Sequence, residues 1–143
     1  MIFPSNITLA MLNDSSQGTM ASFLDIAYTH IAPDYLEARM PVTSKTRQPQ
    51  GLLSGGASVA LAETVGSVAA NLCVNQEDYY CLGLAINANH IRKVEKGYVY
   101  AVARPLHIGK TTHVWEIHIT DAQKQLVCVS RLTMAVLTRM KDA

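Results

Sequence analysis

From residue 55 to residue 74 the chain reads GGASVALAETVGSVAANLCV. The large apolar residues of this stretch are Val59, Leu61, Val65, Val68, Leu72 and Val74, and they surround a helical axis instead of forming one stripe. A helix apolar on every side is normally buried on every side, so the pattern predicts a long central helix. Its many Gly and Ala residues permit close approach by neighbouring backbone. Beyond it the period changes to two. Residues 81–92 carry Leu84, Ile86 and Ala88 on one face, and residues 98–107 are rich in Tyr and Val. Residues 113–120 alternate Trp115, Ile117 and Ile119 with Glu116, His118 and Thr120. Residues 126–137 set Leu126, Cys128, Leu132, Met134 and Val136 on one side. These four segments read as strands. Turn signals part them at Glu95-Lys96-Gly97, at His107-Ile108-Gly109-Lys110 and at Asp121-Ala122-Gln123-Lys124. Upstream, residues 23–30 and 35–42 read as two strands around a turn at Pro33-Asp34. Residues 6–14 read as a short helix with Asn6 as its N-cap. One buried helix and about six antiparallel strands predict an α+β architecture with the sheet curled around the helix. Such a sheet keeps an exposed edge strand, and oligomerisation commonly covers one.

Length adds that 143 residues suit a single domain spanning 1–143. With 49% hydrophobic and 16% charged residues the chain is not of the disordered class. A formal charge of +1 argues against nucleic acid or an anionic membrane as a bulk partner. The apolar stretch has about the ~20 residues of a membrane span. It carries Glu63 in its interior, however, and a carboxylate at a membrane centre is expensive. The reading is therefore a buried helix of a soluble protein. Cys73, Cys81 and Cys128 form an odd set with no CxxC, which fits a reduced, cytoplasmic setting. The first Lys or Arg is Arg39, so no secretory signal is expected.

Candidate chemistry starts at Glu63, the one acidic residue between Glu37 and Glu77. It either points out of the helix end, or pairs with a distant Arg, or lies in a partly dry pocket and serves as base or nucleophile. Ser67, at i+4, is on the same face one turn on. It either hydrogen-bonds the carboxylate or a water, or is a small residue that lets helices pack closely. Ser54-Gly55-Gly56 opens the helix, where free N–H groups and the helix dipole favour negative charge, the physics of an oxyanion hole. A plain Ser-capped helix reads the same way. Eight residues, about 12 Å of rise, separate Gly55 from Glu63. The two reach one substrate atom only if two chains build the pocket together. His90, Arg92, Lys93 and Lys96 form one basic group, and His107, Gly109 and Lys110 a second. They are either solvated strand ends or a mouth for an anionic ligand such as a phosphate ester. Neither GxxxxGK[ST] nor GxGxxG occurs, and the five histidines show no metal-ligand spacing. No cofactor or metal is expected.

Several blocks together resemble one known family. They are Gln48-Pro49-Gln50-Gly51-Leu52-Leu53-Ser54-Gly55-Gly56-Ala57-Ser58, Leu61-Ala62-Glu63-Thr64, the run from Gly83 to His90, the run from Pro105 to Lys110, Val114-Trp115-Glu116-Ile117 and Ser130-Arg131-Leu132. The chain is similar along nearly its whole length to hotdog-fold acyl-CoA thioesterases. The resemblance implies a long helix wrapped by a curved antiparallel sheet, assembly into dimers or tetramers built from dimers, and active sites between subunits. It implies that Glu63 is the catalytic carboxylate and that the Gly55 amide polarises the thioester carbonyl. Gln48 would position the thioester or acyl group, Ser67 would assist the hydrolytic water, and Ser54 stands beside the oxyanion hole. Coenzyme A, part of the substrate and not a cofactor, would be held at Gly83, at His90, Ile91, Arg92 and Lys93, and at His107, Ile108, Gly109, Lys110, Thr111 and Thr112. The sequence departs from the family pattern at Ser54, usually His, at Gln50, often aromatic, and at Ala85, often Glu. Hydrolysis of an acyl-CoA thioester, with an aromatic acyl group, is the expected function. The alternatives are a non-catalytic acyl-CoA-binding protein of the same fold and a hotdog dehydratase.

Overall fold

The computed structural model describes residues 1–141. Its elements, in chain order, are α1 (Leu9–Ser15), α2 (Met20–Phe23), β1 (Ala27–Ile31), β2 (Leu36–Pro41), α3 (Gly55–Leu72), β3 (Tyr79–His90), β4 (Tyr98–Ile108), β5 (Thr112–Thr120) and β6 (Leu126–Thr138). The six strands form one antiparallel sheet in the order β1-β2-β4-β5-β6-β3, and α3 packs across β2 to β6. The α+β expectation holds, with the long helix on one face of the sheet.

The core lies between α3 and that face. Leu61, Ala62, Val65, Ala69 and Ala70 of the helix meet Leu36, Met40, Trp115, Ile117, Leu132 and Met134 of the strands, all fully buried. Gly66 marks the closest approach. A Cβ built there would stand 2.7 Å from Leu132 Cδ2 and 3.3 Å from Ile117 Cδ1, so only a hydrogen fits between helix and sheet. The alternation expected in β5 is realised: Trp115, Ile117 and Ile119 are buried and His118 is exposed.

Four expectations are corrected. The helix is not buried on every side. Its covered residues recur at three- and four-residue steps (58, 61, 62, 65, 66, 69, 70), and Val59, Ala60, Glu63, Thr64, Ser67 and Val68 are only half buried, because one sheet covers one face. The N-cap of α1 is Thr8, whose Oγ1 accepts from Met11 N–H at 3.2 Å, not Asn6. The strand expected from residue 23 starts at Ala27. Residues 20–23 turn helically instead, and Asp25 ends that turn in the left-handed region at φ 58°. Finally, β3 runs over 79–90 rather than 81–92, and a bulge between Gly83 and Ala85 breaks its register with β6. Leu84 is the extra residue of the bulge, so it is 63% exposed instead of sharing a face with Ile86 and Ala88. β3 is also an edge of the sheet, and Leu82 beside the bulge is 52% exposed.

Candidate active site

The amino end of α3 is open. Ser54 occupies the N-cap with extended backbone (φ −66°, ψ 136°), but its side chain makes no capping bond. Its carbonyl accepts from Ala57 and Ser58 N–H, while Gly55 and Gly56 N–H find no partner among the described residues. Two unpaired donors at the positive end of an 18-residue helix favour a developing negative charge. The segment before the helix is pinned by Leu53 N–H to Val94 carbonyl and Ser54 N–H to Thr46 carbonyl, both at 2.8 Å. Between Arg47 and Leu53 the chain makes a tight turn that puts Gly51 at φ 82°, a conformation that suits glycine. Gln48 sits in that turn. Its Oε1 accepts from Gln50 N–H and its Nε2 donates to Gln50 Oε1 at 3.4 Å.

The imidazole of His90, at the end of β3, lies against Gly55. A Cβ on Gly55 would stand 2.9 Å from its Nε2. An open cleft of about 350 Å³ gathers Gln48, Gly55, Ser58, His90, Ile91, Arg92 and Lys93. Sequence reasoning placed Arg92 and Lys93 at a strand end; they lie just past β3, and Lys93 is 4.0 Å from Glu95. Lys96 opens onto a different cleft.

Glu63 lies elsewhere. It faces outward at mid-helix, half buried, and has no ion pair among the described residues, so the pairing alternative is not realised. Its carboxylate presses on the backbone of Gly83 in β3, where a Cβ would overlap Oε1. Gly83, expected at coenzyme A, is thus the seat of Glu63. The two elements are held in this relation by Asn71, which the sequence reading passed over. Cys81 N–H donates to Asn71 Oδ1 at 2.8 Å, and Asn71 Nδ2 donates to the carbonyls of Cys81 at 3.1 Å and Ser67 at 2.9 Å. An amide near the end of an otherwise apolar helix was the signal available. Ser67 lines the same cleft as Glu63, about 390 Å³ between α3 and the α1–α2 segment, with its hydroxyl 3.8 Å from Met134 Sδ.

A third cleft, about 420 Å³, takes Ile108, Gly109 and Lys110 from the β4–β5 hairpin together with His113. His107 is exposed and its ring lies over Gly109; Thr111 and Thr112 close the hairpin, Gly109 N–H donating to Thr112 carbonyl at 2.9 Å. Those of the expected residues that line a cleft therefore fall into three separate ones of one chain, and Ser54, Gly83, His107, Thr111 and Thr112 line none of the three. The Gly55 amide and the Glu63 carboxylate do not share one, as their eight-residue spacing requires. No helix among the described residues is long and apolar enough to cross a membrane.

Comparison with known proteins follows the same lines. Residues 50–128 match the model of the thioesterase superfamily. The chain is 53% identical to the 1,4-dihydroxy-2-naphthoyl-CoA hydrolase of Escherichia coli over 137 residues, which is 96% of this chain and 100% of that one. It is 47% identical to the proofreading thioesterase EntH of Cronobacter sakazakii, covering 96% of this chain and 99% of the other. Among solved structures, a thioesterase of Haemophilus influenzae superposes with a TM-score of 0.95 at 43% identity, covering 99% of this chain and 98% of that one.

Proposed function

The chain belongs to the thioesterase superfamily, and from that premise we propose that it hydrolyses aromatic acyl-CoA thioesters with Glu63 as general base. The observation that carries the reading is the Glu63 carboxylate itself: half buried, without an ion pair among the described residues, and seated on Gly83 in a cleft that Ser67 shares. Glu63 takes a proton from a water held with Ser67, and the water oxygen attacks the thioester carbonyl carbon. Charge develops on the carbonyl oxygen, where the Gly55 N–H receives it. The C–S bond then breaks, coenzyme A leaves as thiolate and is protonated, and the carboxylic acid is released. A thioester carbonyl is electrophilic and a thiolate leaves readily, so one base and one oxyanion donor suffice. Gln48 orients the thioester beside Gly55. His90 to Lys93 and His107 to Thr112 hold the phosphates and adenine end of coenzyme A.

Because Gly55 and Glu63 of one chain open onto different clefts, the working site lies between two chains of a homodimer or a larger assembly. The half-buried face of α3 and the exposed edge of β3 with Leu82 and Leu84 support that arrangement. The aromatic preference rests on the small or branched residues around Glu63 (Ala60, Thr64, Val68), which suit a compact ring. It is also the substrate class that the E. coli relative's name prints. Glu63→Gln tests the mechanism. Thiol release from an aryl-CoA should fall at least about 10²-fold, with the melting temperature unmoved. Near-normal turnover removes Glu63 from the chemistry.

A further inference from the structure

The cleft that holds Glu63 and Ser67 ends on a residue that the mechanism does not use. Tyr28 lies in β1, and Asn13 of α1 grips its backbone from both sides: Tyr28 N–H donates to Asn13 Oδ1 at 2.8 Å, and Asn13 Nδ2 donates to the Tyr28 carbonyl at 3.2 Å. The ring is thereby fixed in the wall opposite α3, and it is only 3% exposed. Its hydroxyl is buried and has no hydrogen-bond partner among the described residues. The half-buried Ser16 hydroxyl is close enough to act on the phenol, but it donates to the Leu12 carbonyl at 3.2 Å and makes no aligned hydrogen bond with the Tyr28 hydroxyl. Burial pushes the phenol up to about 12, against a smaller downward pull from Ser16. It therefore stays protonated at neutral pH and acts as a donor.

An orphaned buried hydroxyl is costly, and phenylalanine would fill the same space without that cost. The α1–α2 segment brings the hydroxyls of Ser15, Ser16 and Thr19 to this end of the cleft beside the apolar Met20 and Ala21. The Ser15, Ser16 and Thr19 hydroxyls already donate to the carbonyls of Leu12 and Ser16, so among the described residues of this wall the phenol is the one unspent donor facing the carboxylate, and a placed, unpaired donor is what a site reading a polar substituent requires. We propose that Tyr28 is a specificity-determining residue for the acyl group, donating a hydrogen bond to an oxygen substituent at the end of the acyl group remote from the thioester. The ligand oxygen reaches the phenol by displacing the Ser16 hydroxyl, which a single 3.2 Å bond holds in place. This rests on the aryl-CoA reading above and adds to it the residue that distinguishes one aryl group from another.

Tyr28→Phe removes one oxygen atom and tests the idea. Wild type and variant are assayed for kcat/KM on benzoyl-CoA, its three monohydroxy isomers and palmitoyl-CoA. Wild type should favour at least one hydroxylated isomer over benzoyl-CoA by about tenfold, and in the variant that ratio should fall towards 1. The variant should also melt no lower than wild type, because the hydroxyl it loses had no partner. An unchanged ratio overturns the role of Tyr28 and leaves the aryl-CoA reading standing. Best turnover on palmitoyl-CoA overturns both. A clear drop in melting temperature shows that the phenol has a structural partner and also overturns the proposal.

Discussion

Glu63 and His113 are both ionisable residues in apolar surroundings, and their environments give them different work. Glu63 looks outward from α3 into a cleft. His113 looks inward from β5 and is fully buried. Its Nδ1 accepts from Trp115 Nε1–H at 3.4 Å, and its Nε2 has no partner among the described residues. Burial lowers its pKa, and the neighbouring His107 lowers it further. The cleft beside it adds Cys73, Tyr79 and Lys110 but no carboxylate. Protonating Nδ1 would also set an N–H against the indole N–H. The unfolded chain therefore takes up a proton at this residue near pH ~6.5, while the folded chain resists it. Stability from this residue is complete above that pH and is lost as pH falls through the window down to the lowered folded value. Urea midpoints measured from pH 7.5 to 5 should fall in wild type, and His113→Gln should flatten that part of the slope. An unchanged slope would assign the pH dependence to other groups. The strand alternation in the sequence already separated His113 from His118. The orphaned Nε2 was not legible, because an orphan is defined by neighbours that come from β4, β6 and the end of α3.

At the scale of elements, the seat of Glu63 is made where α3 crosses β3. Asn71 ties the two backbones together, and the absent side chain of Gly83 leaves room for the Glu63 carboxylate. Gly83→Ala fills that room. The carboxylate is the flexible partner, so the helix and strand stay in place and Glu63 moves. A displacement of about 1 Å at a reacting group can cost about 10²-fold. Gly83→Ala should therefore lower kcat by at least tenfold with little change in melting temperature. Equal activity would mean that Glu63 has a second productive position. Period-two alternation and one long apolar run rich in Ala and Gly made six strands and one long helix legible, since each strand of the β4–β5–β6 run shows its buried face in its own residues. The bulge in β3 was not legible. Leu84 continues the apolar alternation in sequence, and only the pairing of Gly83 with Met134 and of Ala85 with Thr133 shows it to be the extra residue. The breadth of the helix's apolar surface was likewise misleading, because within one chain the sheet covers only one face of α3.

For the whole molecule, the proposed site between two chains rests on the spacing of groups along α3. Along α3 the open N–H of Gly55 and the Glu63 carboxylate are held about 12 Å apart by helix geometry, and they face different clefts. No side-chain rotation brings them to one carbonyl. In the proposed dimer, two chains paired through the exposed β3 edge and the uncovered face of α3 would set the amino end of one helix beside the middle of the other. A dimer then has two sites, each with Gly55 from one chain and Glu63 from its partner. Two inactive variants distinguish this from a site within one chain. Glu63→Gln removes the base. Gly55→Ala forces a methyl group against the His90 ring, 2.9 Å from Nε2, and disturbs the oxyanion end. In a heterodimer of the two, one site combines both lesions and the other carries neither. A purified heterodimer, with each chain tagged differently, should recover about half of the wild-type rate per dimer. Each parent homodimer should stay near background. No recovery in a heterodimer that is intact by sedimentation would mean that each chain uses its own Gly55 and Glu63, and the arrangement between chains would have to be abandoned.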